Sequence, residues 1–462
     1  MGTGGSITGL PEAVRARVQL GVEERTRVPL ESLGEVGVGE DRPDPVELLI
    51  GQDRTRLHLL VPIRHQRMAA TPFTFFRGGA AIMASDLSRA PSTGLRAQLC
   101  GDAHLSNFGV FNGADKRLVF DVNDFDETSP GPFEWDVKRL AASVTIAGRN
   151  NELSAKKTRA ATTEAVRGYR EVLAQTLDRS PMDLRYFRID VSSLLDQDEK
   201  LRMRSAKAVD KASSKDSLRA LKKLTTVVDG QRRIVSQPPL IVRLSDVVTD
   251  PDDVDRDRLV EFFDRYRASL PPYRAVVLDR YHLVDMAHKV VGVGSVGLRA
   301  FVVVLQSRRT GEPLLLQVKE ASASVLEPFL GASMYDEPGR RVVEGQRMMQ
   351  AASDLFLGWG PSSSGDRHYY WRQLRDMKGS AEIERMSPAG LDAYARICGW
   401  SLARAHARSG PAAAIAAYLG SSDRFERAMA EFAHRYSQQN RADFGAHQQA
   451  VADGRIEVAV DA

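Results

Sequence analysis

The chain has 462 residues, of which 43% are hydrophobic and 27% charged, with a formal net charge of +4. That length predicts two or three domains or lobes with enough apolar sequence for a large core, and the composition excludes wholesale disorder. No apolar run approaches the ~20 residues that span a bilayer, and the near balance of charge does not by itself argue for nucleic acid as a partner, which is not expected.

Two cysteines, Cys100 and Cys398, cannot build a disulfide framework. The first twenty residues show no basic flank followed by an apolar stretch, so a reducing, cytoplasmic location is expected. Only 13 of the 64 basic residues are lysine, which makes any lysine in an apolar setting worth examining.

In chain order, residues 1–50 read as an extension with one helix near Pro11–Arg25. Residues 51–195 read as the first part of a helical lobe. Helices are expected at Asp53–Met68 and Phe75–Leu87, strands at Leu95–Cys100 and Arg117–Val122, and helices at Glu134–Arg149 and Lys156–Leu177, where apolar residues recur at helical spacing. Residues 196–250 form a basic insert and a hairpin. The insert, 196–223, carries six of the 13 lysines interleaved with acids, the pattern of a solvated helical face. The hairpin turns at Asp229-Gly230. After a helical connection over 251–281, residues 282–375 form a small β lobe. It comprises β-rich runs at Val290–Leu305 and Leu314–Lys319, a helix at Gly339–Ser353, and strands at Asp354–Trp359 and His368–Leu374. Residues 376–462 are Ala-rich and helical, the second part of the helical lobe.

One stretch carries chemistry: Cys100-Gly101-Asp102-Ala103-His104-Leu105-Ser106-Asn107. An Asp and an Asn five residues apart after a short strand suit phosphoryl transfer. The Asp takes the proton of the attacking hydroxyl, and the Asn holds Mg²⁺ against the nucleotide phosphates. Asp102 is therefore the candidate base, Asn107 a candidate metal ligand, and His104 a support for the loop. Gly-Asp-x-His-x-x-Asn matches the catalytic loop of aminoglycoside phosphotransferase-like kinases except at its first position, where Cys100 replaces His. Downstream, a strand delivers Asp121-Val-Asn123-Asp124-Phe125-Asp126-Glu127. Asp124 matches the metal-binding Asp-Phe pattern, Asp121 sits closer to the usual separation, and Asp126 stands where that pattern has Gly. The alternative for these acids is a solvated turn. Trp135-Asp136-Val-Lys138-Arg-Leu resembles the helix that follows this element in the phosphotransferases.

The remaining parts of such a site come later in the chain. Gly292-Val-Gly294-Ser295-Val-Gly297 leads into a strand rather than a helix, the context of a kinase phosphate loop and not of a dinucleotide fold. Lys319 ends an apolar strand, where burial is costly without a partner. In kinases that lysine grips phosphates and pairs with a helix Glu, for which Glu344 is the candidate and Glu327 the fallback. The alternatives are a glycine-rich turn and a lysine that snorkels to solvent. Helix Leu391–Arg408, with Ala403-Arg-Ala-His406-Ala, resembles the helix that precedes the catalytic loop in phosphotransferases.

The fold class expected is thus α+β: a protein-kinase-like two-lobe fold in circularly permuted order, with both chain ends contributing to the helical lobe. The stretches Arg67–Gly78, Leu99–Gly109, Phe120–Pro130 and 343–352 resemble the uncharacterised bacterial family DUF2252 over roughly residues 40–450. The resemblance implies a kinase-like fold and brings no established substrate. The activity expected is ATP- and Mg²⁺-dependent phosphoryl transfer to a hydroxyl of a small molecule or protein. Transfer of AMP on the same fold and a non-catalytic nucleotide-binding role are the alternatives.

Overall fold

Residues 12–113, 115, 117–192, 224–228, 231–238, 240–247, 256–290, 296–374 and 381–459 are described by the structure, a computed structural model. Gly292, Gly294 and Ser295, the segment 196–223, the Asp229-Gly230 turn and residues 375–380 lie outside them. The architecture is α+β, with helices and antiparallel sheets. Among the described residues, no helix is long and apolar enough to cross a membrane.

The helical part opens with α1 (Glu12–Arg27), α2 (Pro45–Asp53), α3 (Val61–Met68), α4 (Pro72–Gly78) and α5 (Ala80–Leu87). The helix expected over Asp53–Met68 is broken, because α2 ends at Asp53 and a 3₁₀ turn at His58–Leu60 intervenes. Asp53 is held instead by Arg64 and His65, each at 2.7 Å. The helix expected over Phe75–Leu87 is also two helices. Thr71 and Thr74 form a reciprocal cap that starts α4 at Pro72, and the chain turns at Gly79.

Strand β1 (Arg96–Leu99) pairs with β4 (Ser129–Pro132), and β2 (Phe108–Asn112) forms a hairpin with β3 (Leu118–Val122), which β5 (Ile189–Asp190) extends. Next come α6 (Glu134–Asn150) and α7 (Ala155–Ala174). Every residue of α6 from Glu134 to Gly148 is buried, so α6 is a core helix rather than a surface one. Both chain ends pack around it. Helix α1 lies on Ala412–Leu419, α7 on Pro388–Ser409, and Arg424–Ala452 on α6. One apolar core joins Val28, Phe76, Leu140, Tyr169, Leu402 and Phe432. Arg42 reinforces the closure by pairing with Asp86 at 2.6 Å and Asp443 at 2.7 Å.

A small hairpin, β6 (Thr225–Val228) with β7 (Gln231–Ile234), precedes the main sheet. That sheet holds β8 (Ile241–Arg243), β9 (Tyr281–Lys289), β10 (Ala300–Ser307), β11 (Pro313–Ala321), β12 (Gly358–Pro361) and β13 (His368–Gln373) in the order β12-β13-β11-β10-β9-β8. Strand β9 precedes the run expected from Val290, and its polar residues His282, Asp285 and His288 hide it in the sequence. Asp354, expected at a strand start, is a buried turn residue that accepts the amides of Phe356 (2.8 Å) and Gln373 (2.6 Å). Helix Arg256–Ala268 covers the outer face, with Tyr266 stacked on Trp371 at 4.4 Å between ring centres. Helix Pro338–Met349 links β11 to β12 in sequence.

Helices α7 and Pro388–Ser409 approach closely because each sets a glycine against the backbone of the other. A Cβ at Gly399 would overlap the carbonyl of Ala165, and one at Gly168 would lie 2.8 Å from the Arg396 carbonyl. Gly399→Ala is expected to cost about 1–3 kcal/mol by forcing the helices apart. A lowered urea midpoint at unchanged m-value is the readout.

Candidate active site

The loop after β1 is shaped by one face of α6. Asp136, Arg139 and Ser143 stand at positions i, i+3 and i+7, and so share that face. Asp136 accepts the amides of Cys100 (2.8 Å) and Gly101 (3.0 Å), and Ser143 accepts the amide of Leu105 (3.0 Å). Arg139 donates from Nε to Asp102 at 2.8 Å, donates to the Phe76 carbonyl at 2.8 Å, and lies over the Phe76 ring. Gly101 sits at φ +83°, where a Cβ would strike the Glu127 carbonyl, so glycine is required there.

The β2–β3 hairpin then brings residues 123–127 back to this loop. The Asn123 amide donates to the Asn107 carbonyl at 2.8 Å. Asn107 is oriented by its own side chain, whose Nδ2 donates to the Asp102 carbonyl at 2.8 Å, leaving Oδ1 as the end able to act as a ligand. Phe125 is buried in the core, and the acids on either side of it, Asp124 and Asp126, line a cleft of ≈ 950 Å³ that Asp102, His104 and Asn107 also line. That volume suits a small organic ligand.

The opposite wall comes from the sheet. Lys319, near the end of β11, is 5% exposed. Its Nζ lies 2.9 Å from Asp126 and 3.4 Å from Asp124. Burial opposes its charge, but the two carboxylates outweigh that and raise its pKa above the usual lysine range. Tyr370 donates to Asp126 at 2.6 Å, and Arg372 donates to the Asn123 carbonyl at 3.0 Å. Both belong to β13, beside β11 in the sheet. From helix Pro338–Met349, Arg341 donates to the carbonyls of Asp126 (2.8 Å) and Ser322 (2.9 Å).

Burial pushes the Asp102 carboxyl up to about 6, with Arg139 offsetting part of the effect and Asp124 adding to it. Glu127 accepts the Val325 amide at 2.8 Å and is pushed up to about 7, chiefly by burial. His104 is 4% exposed, with Nε2 3.6 Å from Asp102 and an Nδ1 that is buried without a partner. Burial first, then Arg77 and Arg139, hold its pKa well below the usual range, so the ring is neutral.

Asp102, His104, Asn107, Asp124 and Lys319 therefore share one cleft. Four other expected residues stand elsewhere. Glu344 is not the partner of Lys319: it accepts from Arg347 at 3.0 Å. The same helix turns Gln346 and Gln350 toward the cleft, and Glu344, two residues from Gln346, is about 200° around the helix from it. The fallback, Glu327, lies 3.5 Å from Arg341. Asp121 is not a cleft residue. It is buried at the base of β3, accepts from Ser401 at 2.9 Å and faces Arg408 at 3.4 Å, because the alternation of β3 turns it toward helix Pro388–Ser409. Gly297, at φ +92°, packs against Arg56, and its carbonyl accepts the Leu57 amide at 2.8 Å. Among the described residues, no group of three or more His, Cys, Asp or Glu side chains forms a ready metal cage. Arg139, Arg341 and Tyr370 were not foreseen as site residues, and Asp126 was noted only as a departure from the Asp-Phe pattern. Of the first three, Arg139 carries a usable signal, its three-residue spacing from Asp136.

Fold and cleft together define an α+β protein whose acidic β3–β4 loop faces a lysine borne on a sheet. The chain belongs to the family described as "Uncharacterized protein conserved in bacteria (DUF2252)", which matches residues 56–450. No curated protein and no solved structure matches it.

The raised carboxyl of Glu127 has a sign for stability. Its folded pKa, about 7, lies above the ordinary 4.5, so the folded state binds more protons in between, and this contribution is lost as pH rises through about 7. Glu127→Gln is expected to flatten the decline in stability between about pH 5 and pH 8, measured by urea midpoints at both.

Proposed function

We propose that the protein is an ATP- and Mg²⁺-dependent phosphotransferase acting on a hydroxyl of an acceptor, with a circularly permuted kinase-like fold. The observation that carries this reading is the meeting of Lys319 with Asp124 and Asp126, at 2.9–3.4 Å, in a cleft that also holds Asp102 and Asn107. The sheet supports it. The order β12-β13-β11-β10-β9, with a helix between β11 and β12 in sequence, is the arrangement that sets a strand lysine over a catalytic loop.

The donor set fits a hard cation. Asn107 Oδ1 and the carboxylates of Asp124 and Asp126 offer oxygens only, and too few for a closed cage, as suits Mg²⁺ shared with phosphates and water. When bound, Mg²⁺ would neutralise the charge of the β- and γ-phosphates. Lys319, now held by two acids, would exchange part of that pairing for phosphate oxygens. Asp102, oriented by Arg139, takes the proton of the acceptor hydroxyl as its oxygen bonds to phosphorus and the bond to the ADP oxygen breaks. ADP leaves with that electron pair.

Calorimetric titration with ATP and Mg²⁺ tests the first step, and absence of binding at millimolar nucleotide would overturn the reading. Asp102→Asn is expected to lower turnover by about 10²–10⁴-fold with nucleotide affinity nearly intact. Because burial raises Asp102 to about 6, activity should rise with pH through about 6 as the base ionises. The acid limb should be absent from the residual activity of the variant. Mass spectrometry of the product separates a gain of phosphate from a gain of AMP.

A further inference from the structure

Arg77 lies on α4 and lines the same cleft. Among the described residues it makes no hydrogen bond and no ion pair, and its Nε is buried without a partner. A guanidinium carries five donors, and a buried Nε that reaches neither a partner nor water is costly to keep. Its neighbours show where it stands. The carboxylates acting on Arg77 are Glu384 and Asp102, whereas those acting on Lys319 are Asp124 and Asp126. Gly51, Gln52, Ala80 and Ala81 of the helical part line the same cleft as Arg77. His104 adds a second unsatisfied group beside Asp102, its buried Nδ1.

We propose that Arg77 binds a carboxylate or phosphate group of the acceptor, so that the substrate class is an anionic molecule presenting its hydroxyl to Asp102. This rests on the phosphotransferase reading for the hydroxyl, but the oxyanion site stands on Arg77 alone. A planar fork is the side chain suited to gripping either oxyanion through two hydrogen bonds. An acceptor held there on one side of Asp102, with nucleotide phosphates held at Lys319 on the other, leaves its hydroxyl between the two.

The test uses the full chain and two probes, inorganic phosphate and acetate, titrated separately by calorimetry. Each titration is run on nucleotide-free protein, with ADP·Mg²⁺, and with the non-hydrolysable analogue AMP-PNP·Mg²⁺. The wild type is expected to bind at least one probe under all three conditions, and the stronger probe indicates whether the acceptor bears phosphate or carboxylate. Arg77→Gln should weaken that binding at least 10-fold, and Arg77→Lys should weaken it less. AMP-PNP·Mg²⁺ affinity should stay within about twofold in both. A merely structural arginine would lower the melting temperature when replaced. Here removal of an unpaired, mostly buried charge should leave it unchanged or raise it. Probe affinity equal in wild type and Arg77→Gln overturns the proposal, as does phosphate binding displaced by AMP-PNP, which would make Arg77 part of the γ-phosphate site. Failure of wild type to bind either nucleotide overturns the phosphotransferase reading instead, because the nucleotide-free titration still reads Arg77.

Discussion

The ion pairing of Lys319 with Asp124 and Asp126 holds the two halves of this molecule in register. The partners are separated by 195 and 193 residues in sequence, yet they close a contact between a sheet strand and the loop that leaves β3. A lysine 5% exposed cannot stay charged in such a place without counter-charge. Two carboxylates bracket it because the chain from Asp124 to Asp126 alternates around buried Phe125. Breaking a buried pair of this kind costs about 3–5 kcal/mol, most of it the penalty of the charge left behind. Tyr370, Arg372 and Arg341 then tie the same few residues, 123–128, to the sheet and to helix Pro338–Met349.

Opposite that seam, α6 acts as a template. Its polar residues are buried, which would be destabilising were each not assigned a partner. Glu134 accepts from Thr93, Asp136 accepts from the loop amides, and Arg139 meets Asp102. Asp136 is itself approached by His406 Nε2 at 3.3 Å, and the other ring nitrogen of His406 contacts the Tyr169 hydroxyl at 2.8 Å. Asp102 is thereby fixed through a chain of contacts running into the closing helices of the fold. The same burial that lifts Asp102 to about 6 makes it a better proton acceptor near neutral pH than an exposed aspartate. One environment sets both position and basicity.

Much of this was legible residue by residue. Lys319 could be singled out because lysine is scarce in this chain and an apolar strand is a costly place to end with one. The loop 100–107 and the acids 121–127 could be singled out by their spacing after short strands. Helix periodicity located α6 and α7 well. It failed where caps and turns outrank periodicity, at Asp53, whose carboxylate is taken by Arg64 and His65, and at Gly79, and at β9, whose polar residues His282, Asp285 and His288 recur every third position instead of alternating. It also misdirected the partner of Lys319, since pairing Glu344 required knowing the rotation of a helix about its own axis.

The sequence by itself determined the α+β character, most of the elements and the set of side chains with chemistry to offer, because these depend on local spacing and composition. Tertiary structure decided which of those side chains meet. Asp121 and Asp124 are three residues apart on one strand and its exit, yet the first is buried against Ser401 and Arg408 while the second faces Lys319. Asp126, an apparent departure from a motif, became the nearest carboxylate to the lysine, and Arg77 was left in the cleft without a partner. Such outcomes are set by the rotation of strands and helices against neighbours distant in sequence. No pattern of spacing along the chain encodes that rotation.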